Sequence, residues 1–470
     1  LETAPSWSQL HAPRDALSVS SGAPQNSSQM ACDSKIPDFL DAFLRDFPAP
    51  LNPESPLPWK PWGAVLSQEE VEGELVELAM DFLSSRNAPL PLAAALTHEA
   101  ISQMLQTDLS EFRKLPSQEE EAGEDKEEEK ATETLLDATG LARSFFNQLW
   151  KVSDEWQKQV PVTAQTPQRE WVVSIHAIRN SRRRMEDRHV SLPVFNLLLG
   201  LSDPVDRAYF AVFDGHGGVD AARYAAVHLH VNTARQPKLL TDPAEALKEA
   251  FRHTDEMFLL KAKRERLQSG TTGVCALVAG TTLHVAWLGD SQVFLVKQGQ
   301  LVKLMNAHRP DQPEEWERIQ RLGGFVVFLD CWRVNATLAV SRAIGDILQK
   351  PYISGEADSA SCELTGSEDY LLLACDGFFD FVYLDEVTSL VHGHLVKQEG
   401  NGLHVAEELV AVARERGSSD NITVMVVFLR DPRELLEGGT QGAGDSQADV
   451  RSQDLPSGLS DPKTDTPQKS

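Results

Sequence analysis

Four aspartates of this chain stand where an apolar segment ends or is about to begin. Asp214 follows "YFAVF" and Asp290 follows "LHVAWLG". Asp376 follows "YLLLAC", and Asp420 comes just before "ITVMVVFL". If the fold brings these ends together, the carboxylates raise one another's pKa values, and Mg²⁺ or Mn²⁺ ions with oxygen ligands would relieve the repulsion. Gly215, which has no side chain, lets its carbonyl approach such an ion. The pattern predicts a metal site, although each Asp-Gly pair taken alone is typical of a turn.

A second charged cluster, "RNSRRRMEDRH", points to phosphate chemistry. Arg182, Arg183 and Arg184 carry planar guanidinium groups, which bind phosphate in a forked geometry. Glu186 and Asp187 follow them, and a carboxylate at this place could hold a metal-bound water. The arginines taken alone also fit a solvated basic loop or a nuclear-targeting segment.

The absence of other catalytic motifs narrows the reaction. No cysteine is followed six positions later by an arginine, the pattern of thiol-dependent phosphatases. The P-loop, the kinase signatures and the Gly-x-Ser-x-Gly elbow are also missing from the sequence. Hydrolysis of a phosphate ester with two metal ions is therefore the leading reaction, with a generic two-metal phosphodiesterase as an alternative.

The elements that must position these residues lie between about 170 and 430. There, short apolar segments rich in β-branched and aromatic residues alternate with longer helical patterns. Several segments are joined by short connections, which favour antiparallel pairing. Many are apolar on both faces, so the sheets must be covered on both sides. The sequence predicts a layered α+β domain.

The region before this domain shows a different pattern. A capping box at Ser67 opens a helical pattern, a second follows Thr97, and a third places Leu141 and Phe145 on one face. Such faces are usually buried in a core, and a surface for a protein partner is the alternative. The chain is predicted to divide into a largely disordered segment at 1–65, a helical extension at 66–160 with an acidic linker at 119–129, a catalytic domain at 165–430 and a disordered tail at 431–470.

Bulk composition restricts the partners and the compartment. The net charge of -26 disfavours nucleic acid as a partner, because phosphate contacts need a basic surface. No apolar run is long enough to span a membrane and no signal peptide is evident, so no membrane partner is expected. The 5 cysteines are an odd set without paired spacing, which indicates reduced thiols and a cytoplasmic or nuclear location.

Seven motifs resemble, in the same order, those of the metal-dependent serine/threonine phosphatases of type 2C. They are "RRRMEDRH", "FAVFDGHGG", "SGTTGVCAL", "WLGDSQ", "RVNATLAVSRAIGD", "LLLACDGFFD" and "SSDNITVMVV", and they cover about residues 170–430. Within this family, the helical extension and the acidic run are most similar to the phosphatases that act on calcium/calmodulin-dependent protein kinases. The resemblance implies a four-layer αββα sandwich of two antiparallel sheets flanked by helices. It also implies phosphorylated proteins, protein kinases among them, as substrates.

The resemblance assigns roles to individual residues. The implied direct ligands of two Mn²⁺ or Mg²⁺ ions are the bridging Asp214, the Gly215 carbonyl, Asp376 and Asp420. Glu186 is implied to act through water. Asp290 and Asp380 are implied to hold a weaker third ion. Arg182 matches the phosphate-binding arginine, and His216 matches the acid that protonates the leaving alkoxide. Asp346 is expected to support the site indirectly. The implied reaction is attack by a metal-activated water without a covalent intermediate.

The chain departs from the family's pattern at two positions near the site. Phe379 stands where tryptophan is common, which is expected to change packing and spare the ligands. Ala336 replaces the usual glycine after "RVN", which could stiffen that loop. Residues 308–345 align with the family's variable flap and are expected to shape substrate choice.

Two functions of other classes stay open beside the phosphatase. One is a catalytically weak scaffold on the same fold, which the intact set of acidic metal positions disfavours. The other is an interaction protein that recruits a partner through its N-terminal helices, with catalysis secondary.

Overall fold

The structure, a computed structural model, describes residues 26–47, 50–114, 134–165 and 168–437. The helices are α1 (Asn26–Asp46), α2 (Val71–Ser85), α3 (Leu90–Leu105), α4 (Ala138–Lys158), α5 (Val162–Gln165), α6 (Phe195–Leu199), α7 (Asp220–Arg235), α8 (Pro243–Glu265), α9 (Pro313–Arg321), α10 (Asp376–Phe379), α11 (Leu384–Lys397), α12 (Val405–Glu415) and α13 (Glu434–Glu437). Among the described residues, no helix has both the length and the hydropathy of a membrane span.

The strands are mostly short and pair antiparallel. They are β1 (Val65–Ser67), β2 (Leu135–Asp137), β3 (Val173–Ile178), β4 (Arg188–Leu192), β5 (Arg207–Phe213), β6 (Gly215–His216), β7 (Gly270–Thr271), β8 (Gly273–Ala279), β9 (Thr282–Leu288), β10 (Gln292–Lys297), β11 (Gln300–Lys303), β12 (Val326–Phe328), β13 (Trp332–Val334), β14 (Ile344–Gly345), β15 (Asp358–Glu363), β16 (Glu368–Ala374) and β17 (Ile422–Phe428).

Two five-stranded sheets face each other in the middle of the catalytic domain. The first has the strand order β11-β10-β16-β17-β3, and the second has the order β15-β9-β8-β5-β4. Alternation along β5 shows how they pack, because Phe210 and Val212 point between the sheets while Tyr209 and Phe213 point outwards. The inner faces of both sheets therefore share one apolar core.

Helices cover both outer faces of this sandwich. Helices α11 and α12 pack on the first sheet, where Leu395 and Leu409 meet Leu372 in one buried cluster. Helices α7 and α8 cover the second sheet with Ala225 and Phe251. The predicted αββα sandwich is confirmed, and every strand pair within the two large sheets is antiparallel.

The prediction of disorder at 1–65 is wrong for α1. Ile36, Leu40 and Phe43 of this helix are at most 4% exposed and belong to the core that continues into α7 and α8. The ring centroid of Phe43 lies 6.0 Å from that of Phe82 in α2. The Pro, Ser and Ala content of the segment suggested disorder. One apolar stripe is nevertheless enough to stabilise a helix when neighbouring helices cover that stripe.

The other helices of the extension lie near their predicted positions, with shifted ends. The backbone N–H of Ser67 donates a 2.7 Å hydrogen bond to the Glu70 carboxylate, and α2 begins directly afterwards. Helix α3 begins ahead of Thr97, and α4 buries both Leu141 and Phe145. The acidic run at 119–129 lies outside the described residues, as does the tail beyond 437.

A buried ion pair joins this extension to the catalytic domain. Arg223 of α7 donates two hydrogen bonds of 2.8 Å to the carboxylate of Glu74 in α2, and Glu77 accepts another. Burial raises the pKa of Glu74, but the charge and hydrogen bonds of Arg223 outweigh burial and hold that pKa well below its usual value. The extension is thus anchored to the helix that follows the "FDGHGG" segment.

We expect Arg223→Met to destabilise the protein by about 3–5 kcal/mol, because it leaves the buried Glu74 carboxylate without the guanidinium that pairs with it. The matched control is Arg235→Met on the same helix. The exposed Arg235 side chain pairs with Glu72 of α2, and this pair contributes about 0–1 kcal/mol to the free energy of unfolding. Urea unfolding of both variants measures the free energies of unfolding. Equal losses would show that the pair with Glu74 is not the anchor.

Candidate metal centre and active site

The predicted strand ends meet at one end of the sandwich, around a cavity of about 900 Å³. Asp214 follows β5, Asp376 begins α10 directly after β16, and Asp420 precedes β17. Eight of the nine predicted site residues line this cavity, namely Arg182, Glu186, Asp214, Gly215, His216, Asp290, Asp376 and Asp420. The two sheets therefore bring together carboxylates that lie far apart in the sequence, as the prediction of converging strand ends requires.

Asp214 and Asp376 of the cavity form a tight group with the buried Cys375. One possible ligand atom of each lies within 4.8 Å of those of the other two. The Cys375 sulfur is already engaged, because it accepts a hydrogen bond from the Thr423 N–H at 3.2 Å and donates one to a backbone carbonyl. Burial raises the pKa of that thiol well above its usual value, so it stays protonated near neutral pH. The two aspartates are the ligands that the group offers.

These carboxylates are held in an unfavourable electrostatic environment. Burial, and after it the charge of Asp376, raises the pKa of Asp214 well above its usual value. The same two causes raise the pKa of Asp290 to about 7, and burial raises that of Asp376. Asp187, beneath the site, is also buried, and its pKa rises to about 7 although Thr423 donates a 2.7 Å hydrogen bond to it. The protein concentrates negative charge that only cations can compensate well.

The residues present fit a hard divalent cation. Asp214, Asp376 and the Gly215 carbonyl offer oxygen atoms, the ligand type that Mg²⁺ and Mn²⁺ prefer. At Gly215, a Cβ atom would lie 2.5 Å from the backbone oxygen of Glu186, so only glycine fits between β5 and the loop that carries Glu186. The predicted carbonyl ligand therefore sits where close backbone approach is required.

Asn421 is a structural residue of the site that the sequence reasoning missed. Its side-chain carbonyl accepts a 2.7 Å hydrogen bond from the N–H of Glu186. Its side-chain amide donates hydrogen bonds of 2.9 and 3.0 Å to the backbone oxygens of Arg179 and Arg184. One side chain next to Asp420 thus holds the loop of arginines and Glu186 in place. The "DN" pair before β17 was the available signal, but it does not reveal a partner far away in the chain.

Two arginines compensate acidic groups at the rim of the site. The predicted phosphate-binding residue, Arg182, is well exposed and forms an ion pair with Asp420. Asp380 does not line the cavity and pairs instead with Arg309 at 3.2 Å. The charge of Asp380 nevertheless raises the pKa values of both Asp290 and Asp376, which places it beside the acidic cluster.

His216 lies at the cavity with a specific partner. Its Nε2 atom is 2.8 Å from the Oδ2 atom of Asp346, the residue that was expected to support the site indirectly. Burial lowers the pKa of His216, but the hydrogen bond and the charge of Asp346 outweigh burial and raise it overall. A Cβ atom at Gly270 would lie 2.2 Å from Asp346 Oδ2 and 2.4 Å from His216 Nε2, so glycine makes room for the pair.

The flap forms one wall of the cavity. Its lining residues are Arg333, Leu338, Ala339 and Val340, and the sequence reasoning had not singled out any of them. Ala336 has a φ angle of 58°, in the left-handed region where glycine is more common, so the alanine constrains this loop. Phe379 packs against Phe294, with ring centroids 5.4 Å apart, and does not line the cavity.

Comparison with known proteins identifies the family to which this geometry belongs. Residues 171–422, more than half of the 470 in the chain, match the family described as Protein phosphatase 2C. The chain belongs to the protein phosphatase 2C family. It is accordingly a metal-dependent protein serine/threonine phosphatase, and the resemblance drawn from its seven motifs is confirmed.

Close relatives within the phosphatase 2C family match nearly the whole chain. Rat Protein phosphatase 1F is 74% identical over 452 residues, which are 96% of this chain and 100% of the relative. The human Protein phosphatase 1F is 73% identical over 454 residues, again 96% of this chain and 100% of the relative. The similarity therefore includes the helical extension as well as the catalytic domain.

Solved structures show the same phosphatase 2C fold. A serine-threonine phosphatase 2C from Toxoplasma gondii has a TM-score of 0.50 at 23% identity and covers 56% of this chain and 96% of its own. A C. elegans sex determining protein has a TM-score of 0.65 at 22% identity and covers 87% of this chain and 97% of its own. The larger coverage of the second shows that the fold of the extension also recurs.

We expect Gly215→Ala to reduce turnover about 100-fold, because the added methyl group must displace the Glu186 loop from the carboxylate cluster. The matched control is Gly393→Ala in α11, where a Cβ atom meets nothing within 4 Å. Initial rates on p-nitrophenyl phosphate, measured over a Mn²⁺ titration, test both variants. Unchanged rates for Gly215→Ala at every Mn²⁺ concentration would contradict the close-approach role of this glycine.

Proposed function

We propose that this phosphatase hydrolyses phosphoserine and phosphothreonine in proteins at a centre of two Mn²⁺ or Mg²⁺ ions. The observation that carries this proposal is the convergence of Asp214, Asp376, Asp290 and Asp420 on one cavity. Without a bound cation this crowding of carboxylates would be unfavourable. Burial and mutual repulsion raise the pKa values of Asp214, Asp376 and Asp290.

The chain offers a complete set of groups to hold the ions. These groups all line the same cavity, and they are Asp214, Gly215, Asp376, Asp420 and Glu186. When bound, divalent ions lower the pKa of water and neutralise charge on the phosphoryl group. A weaker third ion would take Asp290 and Asp380, the latter after release from Arg309.

The protein's own side chains bind and orient the phosphate. Arg182 is well exposed, and its ion pair with Asp420 keeps a guanidinium group at the cavity without burying it. In the proposed complex this guanidinium binds two phosphate oxygens in the forked geometry that arginine favours. The ester then lies with its phosphorus towards the acidic cluster and its leaving oxygen towards His216.

His216 supplies the proton in this proposal. Asp346 accepts a hydrogen bond from Nε2–H of the ring and favours the protonated ring, since its hydrogen bond and charge outweigh burial and raise the pKa of His216. A protonated imidazole can give its proton to the serine or threonine oxygen as the bond to phosphorus breaks. Asp346 does not reach the substrate in this scheme and acts as a positioning residue.

Protein kinases are the proposed substrates, with the N-terminal helices as a binding surface for a protein partner. Support comes from the resemblance of the extension and acidic run to phosphatases of calmodulin-dependent kinases. The proposed location is cytoplasmic or nuclear, and the free thiols of Cys275, Cys331, Cys362 and Cys375 agree with a reducing compartment.

A comparison of two phosphoprotein substrates tests the kinase proposal. A higher kcat/KM on an autophosphorylated kinase than on phosphorylated casein supports the proposal, and equal values contradict it.

A catalytically weak scaffold is the second candidate. It would explain the anchored extension, but it gives no reason for retaining every acidic residue of a complete metal site. The intact set of carboxylates around Asp214 therefore favours an enzyme.

Phosphate release from a phosphothreonine peptide tests the proposed function. We expect turnover with Mn²⁺ or Mg²⁺, complete loss with EDTA, and recovery when the metal is restored, because the carboxylates bind a reversible cofactor. A well-folded, metal-replete protein without turnover would favour the scaffold instead.

The acid role of His216 predicts a dependence on the leaving group. We expect His216→Gln to lower kcat about 100-fold on the phosphopeptide and less than about tenfold on p-nitrophenyl phosphate, whose leaving group needs little protonation. Asp346→Asn should give the same selective loss in milder form. In the double variant, Asp346→Asn should add almost nothing to the loss of kcat caused by His216→Gln, because both substitutions impair the same proton transfer. Equal losses on the two substrates, or additive losses in the double variant, would contradict the pairing.

A further inference from the structure

The short segment that carries Asp346 depends on contacts outside the catalytic cavity. Asp346 directly follows β14 and precedes a helical turn at Ile347–Gln349. Its φ angle of 50° lies in the left-handed region, which residues other than glycine adopt infrequently. In this conformation the Asp346 carboxylate reaches His216, so neighbouring groups must hold the backbone there.

Asp255, on helix α8, contacts the backbone immediately before Asp346. Its Oδ1 atom accepts a 2.7 Å hydrogen bond from the N–H of Gly345. On the other side, Gly345 pairs with Gly270 of β7, and the N–H of Asp346 donates a 3.1 Å hydrogen bond to the backbone oxygen of Ser269. The strand that leads into Asp346 is therefore fixed between β7 and the carboxylate of Asp255.

Lys350 closes the segment on the far side of Asp346. Its Nζ atom donates a 2.8 Å hydrogen bond to Asp255 Oδ2 and a 3.0 Å hydrogen bond to the backbone oxygen of Ala343. One ammonium group thus joins the two ends of the loop formed by residues 343–350. Through Asp255 the same ammonium group also fastens this loop to α8.

The pair of Asp255 and Lys350 is largely shielded from solvent. The two side chains are 10% and 18% exposed, respectively. Gly355 makes room for the carboxylate, because a Cβ atom there would lie 2.0 Å from Asp255 Oδ2. Such a pair loses hydration on burial, which offsets much of its mutual attraction. Its hydrogen bonds to the loop backbone nevertheless define where Asp346 lies.

We propose that Asp255 and Lys350 are positioning residues for proton transfer by His216. They hold the loop that presents Asp346 Oδ2 to His216 Nε2, and neither of them lines the catalytic cavity. A displacement of this loop by about 1 Å would misalign the imidazole ring with the leaving oxygen. The inference rests on the acid role proposed above for His216.

Loss of either positioning residue should impair the reaction mainly where the leaving group needs a proton. We expect Asp255→Ala to lower kcat about tenfold on a phosphothreonine peptide and less than about threefold on p-nitrophenyl phosphate. Lys350→Met leaves the acceptor of the Gly345 N–H in place and should give the same selective loss, so it carries the test if Asp255→Ala does not fold. KM should stay within about twofold, because neither residue contacts the substrate.

Double variants separate positioning of the acid from general damage to the site. On the phosphopeptide, Asp255→Ala or Lys350→Met should add almost nothing to the loss of kcat caused by His216→Gln, because the proton transfer that they support is already absent. Additive losses would overturn the positioning role.

Lys261→Met is the matched control, because it also removes a lysine that pairs with a buried carboxylate. Lys261 lies on α8, and its Nζ atom is 2.9 Å from Glu70 of the extension rather than near the loop of Asp346. Circular dichroism of the full chain would show that each variant is folded. The control should leave the ratio of kcat values on the two substrates unchanged.

Two failures can be told apart by these measurements. Equal losses on both substrates in His216→Gln would contradict the acid role itself, and the positioning role with it. A selective loss in His216→Gln, combined with equal losses on both substrates in Asp255→Ala and Lys350→Met, would overturn the positioning role alone. The same selective loss in Lys261→Met would also overturn it, because the effect would then follow from any weakened contact of α8.

Discussion

Repulsion among buried carboxylates is the constraint on which the rest of the catalytic domain depends. Asp214, Asp290 and Asp376 all have raised pKa values, with burial as the main cause and neighbouring charge as the next. A fold can keep such groups together only if rigid elements hold their backbones and a counter-charge is available. Here each aspartate adjoins a central strand of one of the two sheets, and the sheets share a packed apolar core.

The parts around the acidic cluster act to keep it in place. The Asn421 side chain holds the loop of Glu186 with three hydrogen bonds to backbone groups. Gly215 allows that loop to approach closely, because it has no Cβ atom. Helix α7 begins just after the "FDGHGG" segment and is anchored from the other side by the pair of Arg223 and Glu74. The helical extension therefore supports α7, the helix that follows the proposed metal site.

The sequence predicted a layered α+β domain and a cluster of carboxylates because both depend on local patterns, whereas the αββα sandwich was implied by the resemblance to the family. Apolar segments that end in Asp214 or Asp376 indicate both a strand and the end of it that carries the carboxylate, and the order of seven motifs revealed the family. Helix α1 was missed because the composition of the first 65 residues outweighed one short apolar stripe whose burial depends on α2 and α4. The role of Asn421 could not be predicted, nor could His216 be predicted as the partner of Asp346, since each contact joins residues more than 100 positions apart.

Metal-dependent stabilisation tests the central claim most directly. Thermal unfolding of the full chain would be followed without metal and with saturating Mn²⁺, for the unmodified protein and for Asp214→Asn, with the exposed Asp385→Asn as control. The account predicts that Mn²⁺ stabilises the unmodified protein and the control by about 3 kcal/mol at 100 times Kd, and Asp214→Asn far less. It also predicts that Asp214→Asn without metal is at least as stable as the unmodified protein, because a crowded carboxyl group has been replaced by a neutral one. Equal stabilisation of all three proteins by Mn²⁺ would contradict the account.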